Sequence, residues 1–123
     1  MSLSYLQSSI DQLEDAKRGD VIEICINPDG SCWGEFQGDH FMSRLAQTLT
    51  EDQVNDLGNQ IASDARTPLS KDKPIVSVSI TYRDRPIRAQ VITPPAVNRG
   101  MSISLRFFSS LPLNSIELGY LYG

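Results

Sequence analysis

Three runs in the second half of the chain alternate between apolar and polar residues, a period that no helix can use to build a buried face. Val76, Val78, Ile80 and Tyr82 are interleaved with Ser77, Ser79 and Thr81, Ile87, Ala89 and Val91 with Arg88 and Gln90, and Met101, Ile103, Leu105 and Phe107 with Ser102, Ser104 and Arg106. Successive side chains of a strand point to opposite sides of its sheet, so each run predicts a strand with one apolar and one polar face. Arg83-Asp84-Arg85-Pro86 reads as the hairpin turn between the first two runs. Between the second and third, Pro94-Pro95 cannot donate to a central ladder and Asn98-Arg99-Gly100 carries turn chemistry, which predicts a loop joining antiparallel neighbours. If that hairpin is centred near Val97, Arg88 lies opposite Arg106. Like charges directly opposed across strands are destabilising, by a few tenths of a kcal/mol to about 1 kcal/mol. Two readings follow: solvated charges, or a pair whose repulsion a shared anionic ligand relieves. Arg83, Arg85 and Arg99 are read as turn residues, either solvated or adding to the same positive potential.

The first half mixes both periodicities. Leu3, Leu6, Ile10 and Leu13 recur at helical spacing and predict an amphipathic helix ending near Gly19, with Lys17 and Arg18 in its last turn, where cations suit the dipole. Residues 21–27 predict a strand with Ile22, Ile24 and Ile26 on one face and Glu23 and Cys25 on the other. Asn27-Pro28-Asp29-Gly30 is a turn, residues 31–37 return as a second strand carrying Trp33, and Gly38-Asp39 leads to a short third strand at His40-Phe41-Met42. Residues 43–66 are predicted helical, in one or two pieces. Thr50 and Gln53 form a capping box, Val54, Leu57 and Ile61 a buried stripe, and Gly58 a point of close packing; Thr67-Pro68 ends the helix. Lys71-Asp72-Lys73 is a charged loop, and residues 114–118 can start a short helix after Pro112. The fold class is therefore α+β, a mainly antiparallel sheet of roughly six strands with helices packed on one face.

Composition bounds the function. At 123 residues, 40% hydrophobic and 21% charged, the chain can build one core without metal or disulfide staples. A net charge of -4 disfavours general nucleic-acid or anionic-membrane binding and leaves only a local basic patch. The sheet also lacks a series of stacking aromatics between basic residues, as a single-strand binder would need. With neither a spanning apolar run nor a basic leader, the chain is expected in the cytoplasm, and Cys25 and Cys32 are expected as reduced thiols rather than a disulfide. His40 is the single histidine and no second Cys pair exists, which disfavours a zinc set, and the sequence shows no Ser-His-Asp or Cys-His motif that this histidine could serve. The chain has no G-x-x-x-x-G-K-[ST] phosphate loop and cannot be a self-sufficient NTPase.

The segment Arg88-Ala89-Gln90-Val91-Ile92-Thr93-Pro94-Pro95, continued by Gly100 and Ser102-Ile103-Ser104-Leu105-Arg106, resembles the end of the N-terminal domain of the hexameric traffic ATPases of type IV secretion and conjugation systems. Those proteins carry R-V-Q-I-V-x-P-P, a short loop and S-I-S-I-R. Glu23, Ile24, Asn27, Gly30, Trp33 and Gly38 match the family's early meander, and Ile116, Leu118, Gly119 and Tyr120 match its linker; the turn before Ile87 departs by lacking the family's glycine. The resemblance implies a PAS-like sheet, with residues 1–108 as the N-terminal domain and 109–123 as the start of a hinged linker to a C-terminal ATPase domain. It implies that Arg88 and Arg106 contact the phosphates of ATP held mainly by that domain, a task suited to arginine's planar, permanently charged fork. It further implies neighbouring subunits of a homohexamer, inner-membrane secretion components as partners, and a cytoplasmic location peripheral to the inner membrane. The chain alone is expected to be neither an enzyme nor a cofactor binder, with ATP and Mg belonging to the parent protein. The alternative is a free-standing, non-enzymatic scaffold or sensor module binding a protein or a small anion.

Overall fold

The computed structural model describes residues 2–66, 72, 74–94 and 100–108, with side chains from residue 6 onward. Its elements are α1 (Ser2–Asp11), a 3-10 turn (Glu14–Lys17), β1 (Val21–Ile26), β2 (Ser31–Phe36), β3 (Ser43–Thr48), α2 (Glu51–Ala65), β4 (Ile75–Tyr82), β5 (Arg85–Ile92) and β6 (Ser102–Phe107). The strands form one six-stranded sheet in the order β3-β2-β1-β6-β5-β4, antiparallel at every junction. The last strand, β6, lies between β1 and β5 and so joins the early meander to the late hairpin.

Burial follows the alternation. Val76, Ile80 and Tyr82 of β4, Ile87, Ala89 and Val91 of β5, and Ile103, Leu105 and Phe107 of β6 are buried on one face. Leu6, Ile10, Leu13, Val54, Leu57 and Ile61 meet them from the helical layer. The predicted capping box closes the start of α2: Thr50 Oγ1 accepts from Gln53 N at 3.1 Å, and Gln53 Oε1 accepts from Thr50 N at 2.8 Å. Gly58 is a point of close approach, since a Cβ there would lie 2.3 Å from Met101 Sδ. Gly30 combines a φ of 91° with a site where a Cβ would lie 1.8 Å from the Leu49 carbonyl oxygen. The corner from β3 into α2 thus rests on the bare backbone of the first turn.

Several local readings are corrected. Residues 43–48 are a strand, not a helix, and residues 40–42 precede it without joining the ladder. Helical spacing of Leu45 and Leu49 loses to the pairing that β2 offers, with Trp33 opposite Arg44 and Gly34 opposite Ser43. In β1 a register irregularity between Val21 and Glu23 turns Val21 into the core and leaves Ile22 half-buried, so the run Ile22, Ile24, Ile26 does not share one face. α1 stops at Asp11 because Leu13 is extended (φ -86°, ψ 108°), and the chain resumes as the 3-10 turn. Gln47 of β3 satisfies the break, accepting from Glu14 N at 2.9 Å and donating to Gln12 O. The β4–β5 turn is only Arg83 and Asp84, both at positive φ (49° and 65°), with Tyr82 paired to Arg85. Arg85 belongs to β5, where it donates to Val21 O at 2.8 Å and Arg18 O at 3.1 Å and lies 5.3 Å from the Phe107 ring centroid. It is a clamp between strands rather than a solvated turn charge.

α2 ends at Ala65 with Arg66 left-handed (φ 57°). The predicted stop at Thr67-Pro68, Lys71 and Lys73 of the charged loop, residues 95–99 and the linker at 109–123 lie outside the described residues.

Candidate functional site

The second face of the sheet is uncovered among the described residues, because both helices pack on the first. Phe108 N donates to Pro86 O at 3.0 Å. That bond sets the phase of the β5–β6 ladder and makes Arg88 and Arg106 a directly opposed, hydrogen-bonded pair, as the hairpin symmetry predicts. Their side chains stand side by side on the open face and both are exposed.

The neighbours decide how the two guanidinium groups are held. Arg88 Nη2 donates to Ser77 Oγ on β4 at 3.3 Å. Arg106 faces Glu23 on β1, at a position where strand phase brings side chains closest. Glu23 nevertheless turns away, accepting from Ser104 Oγ at 3.1 Å and from Cys25 Sγ at 3.5 Å. Among the described residues the Arg106 guanidinium has neither a hydrogen-bond nor an ion-pair partner, and the residue is exposed. Glu23 in turn faces Glu35 on β2, giving a row Ser79, Arg88, Arg106, Glu23, Glu35 across five strands. The adjoining row runs Ser77, Gln90, Ser104, Cys25, Trp33, Arg44. The face is therefore divided, basic over β5 and β6 and acidic over β1 and β2.

The thiols take opposite faces. Cys25 lies on the open face, where partial burial and then the Glu23 charge push its thiol above the usual value. Cys32 pairs with the position beside it, Ile26, and is fully buried in the core, where burial raises its thiol too. Both are free, and the alternation that separates them excludes a bond between them. Arg83 pairs with Asp11 at 3.5 Å, away from the arginine pair; Arg99 lies outside the described residues. Among the described residues no cluster of three or more His, Cys, Asp or Glu side chains is placed to hold a metal, and no helix is long and apolar enough to cross a membrane.

Arg88 and Arg106 were legible in the sequence, but their companions were not. The alternation puts Glu23, Ser104 and Gln90 on polar faces; only the long-range pairing of β1 with β6 brings Glu23 beside Arg106.

Fold and site together define a class: an α+β domain whose six-stranded antiparallel sheet is helix-covered on one face and carries an opposed arginine pair on the other. The VirB11 ATPase of the Brucella suis type IV secretion system, crystallised in complex with sulphate, is similar in fold, with a TM-score of 0.64 and 18% sequence identity over 85% of this chain. The match covers 31% of the length of that protein. No family model matches the chain, and no curated protein matches it in sequence.

Proposed function

We propose that this chain is the N-terminal oligomerisation and nucleotide-closing domain of a type IV secretion or conjugal transfer ATPase, with Arg88 and Arg106 reaching the phosphates of an ATP held by a C-terminal ATPase domain. The observation that carries this reading is the arginine pair itself. Two guanidinium groups are opposed in strict register, and the one carboxylate facing Arg106 is turned aside onto Ser104. The fold likeness to a secretion ATPase crystallised with sulphate supports it.

The physics is local. Bringing a phosphate between the two groups replaces their repulsion with charge-assisted hydrogen bonds, which are about twice as strong as neutral ones and in arginine's case frequently bidentate. Arg88 is steadied by Ser77, whereas among the described residues no partner holds the Arg106 guanidinium. The chain has no phosphate loop of its own. ATP and Mg accordingly belong to the C-terminal domain, and this domain contributes positive charge on closure. In this reading the working form is a homohexamer on the cytoplasmic side of the inner membrane, in contact with inner-membrane secretion components.

The test is ATP hydrolysis by the longer protein carrying this chain. Arg88→Ala and Arg106→Ala should each lower kcat/KM by roughly 10- to 100-fold, the loss of about 1.5–3 kcal/mol expected for a hydrogen bond to a charged group. Unchanged hydrolysis in both variants would defeat the assignment.

A further inference from the structure

We propose that Glu23 is a built-in counter-ion for the arginine pair, held in reserve by Ser104 and Cys25, and that its position sets how strongly the pair takes a phosphate group. This rests on the reading of Arg88 and Arg106 as a phosphate site and adds to it a positioning residue that touches no phosphate.

Along the row Arg88, Arg106, Glu23, Glu35, only the middle pairing joins opposite charges. Asn27 N donates to Ser31 O at 2.9 Å, which makes Glu23 and Glu35 a hydrogen-bonded pair, just as Arg88 and Arg106 are. Arg106 and Glu23 are then the non-hydrogen-bonded pair, with Cα atoms about 4.5 Å apart where the other kind stands at about 5.5 Å. Backbone geometry sets the one attractive pairing closest. Yet among the described residues ion pairs form at Arg18 and Arg83 and none at Arg106.

What holds Glu23 instead is a pair of neutral donors. Its Oε2 accepts from Ser104 Oγ at 3.1 Å and from Cys25 Sγ at 3.5 Å. Glu35, opposed on β2, repels the carboxylate toward β6, where it has two positions to choose from: Ser104, or Arg106 directly across. Those two residues lie two apart on one face of β6, so rotation of the Glu23 side chain exchanges one for the other with the ladder intact. On Ser104, the carboxylate leaves Arg106 to an incoming phosphate. On Arg106, it occupies the guanidinium that the phosphate needs. A site that is competent for only part of the time binds more weakly in proportion, and an exposed ion pair shifts an equilibrium by about two- to five-fold, so releasing Glu23 should weaken phosphate binding roughly two- to six-fold.

Two measurements on the full chain at low ionic strength test this. The first is titration with inorganic pyrophosphate, followed on the arginine Nε–H signals by NMR. Ser104→Ala should weaken binding by the factor just given, and Glu23→Gln should tighten it. Ser104→Ala added to Glu23→Gln should change nothing further, because no carboxylate remains to be released. The second needs no ligand: a double-mutant cycle of Glu23→Gln and Arg106→Ala in denaturant unfolding. The two changes should be additive in the wild-type background and coupled by about two- to five-fold in the unfolding equilibrium constant in the Ser104→Ala background. If Ser104→Ala weakens pyrophosphate binding equally with and without Glu23→Gln, the hydroxyl meets the anion itself and the proposal fails. Equal coupling in both backgrounds overturns it as well. Pyrophosphate that binds none of these proteins would end the phosphate reading and the proposal with it, whereas normal binding that Ser104→Ala leaves unmoved would end the proposal alone.

Discussion

The two faces of the sheet are built by alternate residues of the same strands, yet they answer to different physics. On the core face, Ile103, Leu105 and Phe107 of β6 are almost entirely removed from water. Their neighbours Ser104 and Arg106 point the other way, onto the mostly polar open face. Burial stabilises by roughly 25 cal/mol per Å² of apolar surface, a term the open face lacks. On that face a charge can be kept where it slightly opposes folding, because the core face supplies the stability. The difference teaches where to look for function: at polar positions whose arrangement folding does not require.

The sharpest test of this contrast compares adjacent residues. Leu105→Ala, at a site with no exposed surface, should cost about 2–5 kcal/mol in denaturant unfolding. Ser104→Ala next door should cost far less, and a comparable loss would break the division of labour between the faces.

Next in size are the contacts that tie the helical layer to the sheet. Thr50→Ala removes half of the capping box and should cost about 0.5–2 kcal/mol, read from the same unfolding curves. The buried Tyr82 hydroxyl donates to Asp11, and its pKa is raised above the ordinary value of 10.0, first by burial and then by that bond. With the folded pKa above the unfolded one, the contribution is whole below pH 10.0 and is lost progressively as the pH rises above it, because the unfolded phenol releases its proton first. Tyr82→Phe should flatten the alkaline limb of the stability profile; an unchanged slope would show that another group controls it.

The smallest effect on stability falls on the residues with the largest proposed role. Arg88→Ala or Arg106→Ala should leave stability unchanged or raise it by up to about 1 kcal/mol at low salt, since each removes one of two opposed like charges. The gain should shrink in salt, where the Debye length falls from about 30 Å at 0.01 M to about 3 Å at 1 M. Marked destabilisation by either variant would mean that the pair holds the sheet together, and the two faces would no longer be distinct in purpose.

Much of this architecture was legible before any coordinates. The strands β4, β5 and β6, the turn at Asn27-Pro28-Asp29-Gly30, the capping box and the opposition of Arg88 to Arg106 follow from period, turn chemistry and hairpin symmetry, all of which act between near neighbours in sequence. Residues 43–48, predicted helical, form a strand. Leu45 and Leu49 do recur as in a helix, but the open edge of β2 offered a ladder that an isolated turn of helix could not match. Local pattern places Arg85 only as a turn residue, because the Val21 and Arg18 carbonyls it holds are far away in sequence.

The sequence by itself determined which residues face inward along β4, β5 and β6, that the chain turns at Asn27-Pro28-Asp29-Gly30, and that two arginines stand across one hairpin, because backbone geometry translates local pattern directly into side-chain direction. Only the tertiary structure decided that β6 enters between β1 and β5, that Glu23 lies beside Arg106 yet bonds to Ser104, and that β4 ends the strand order. Strand order depends on which distant surfaces bury the most apolar area together, and that sum over the whole core leaves no mark on any short stretch of chain.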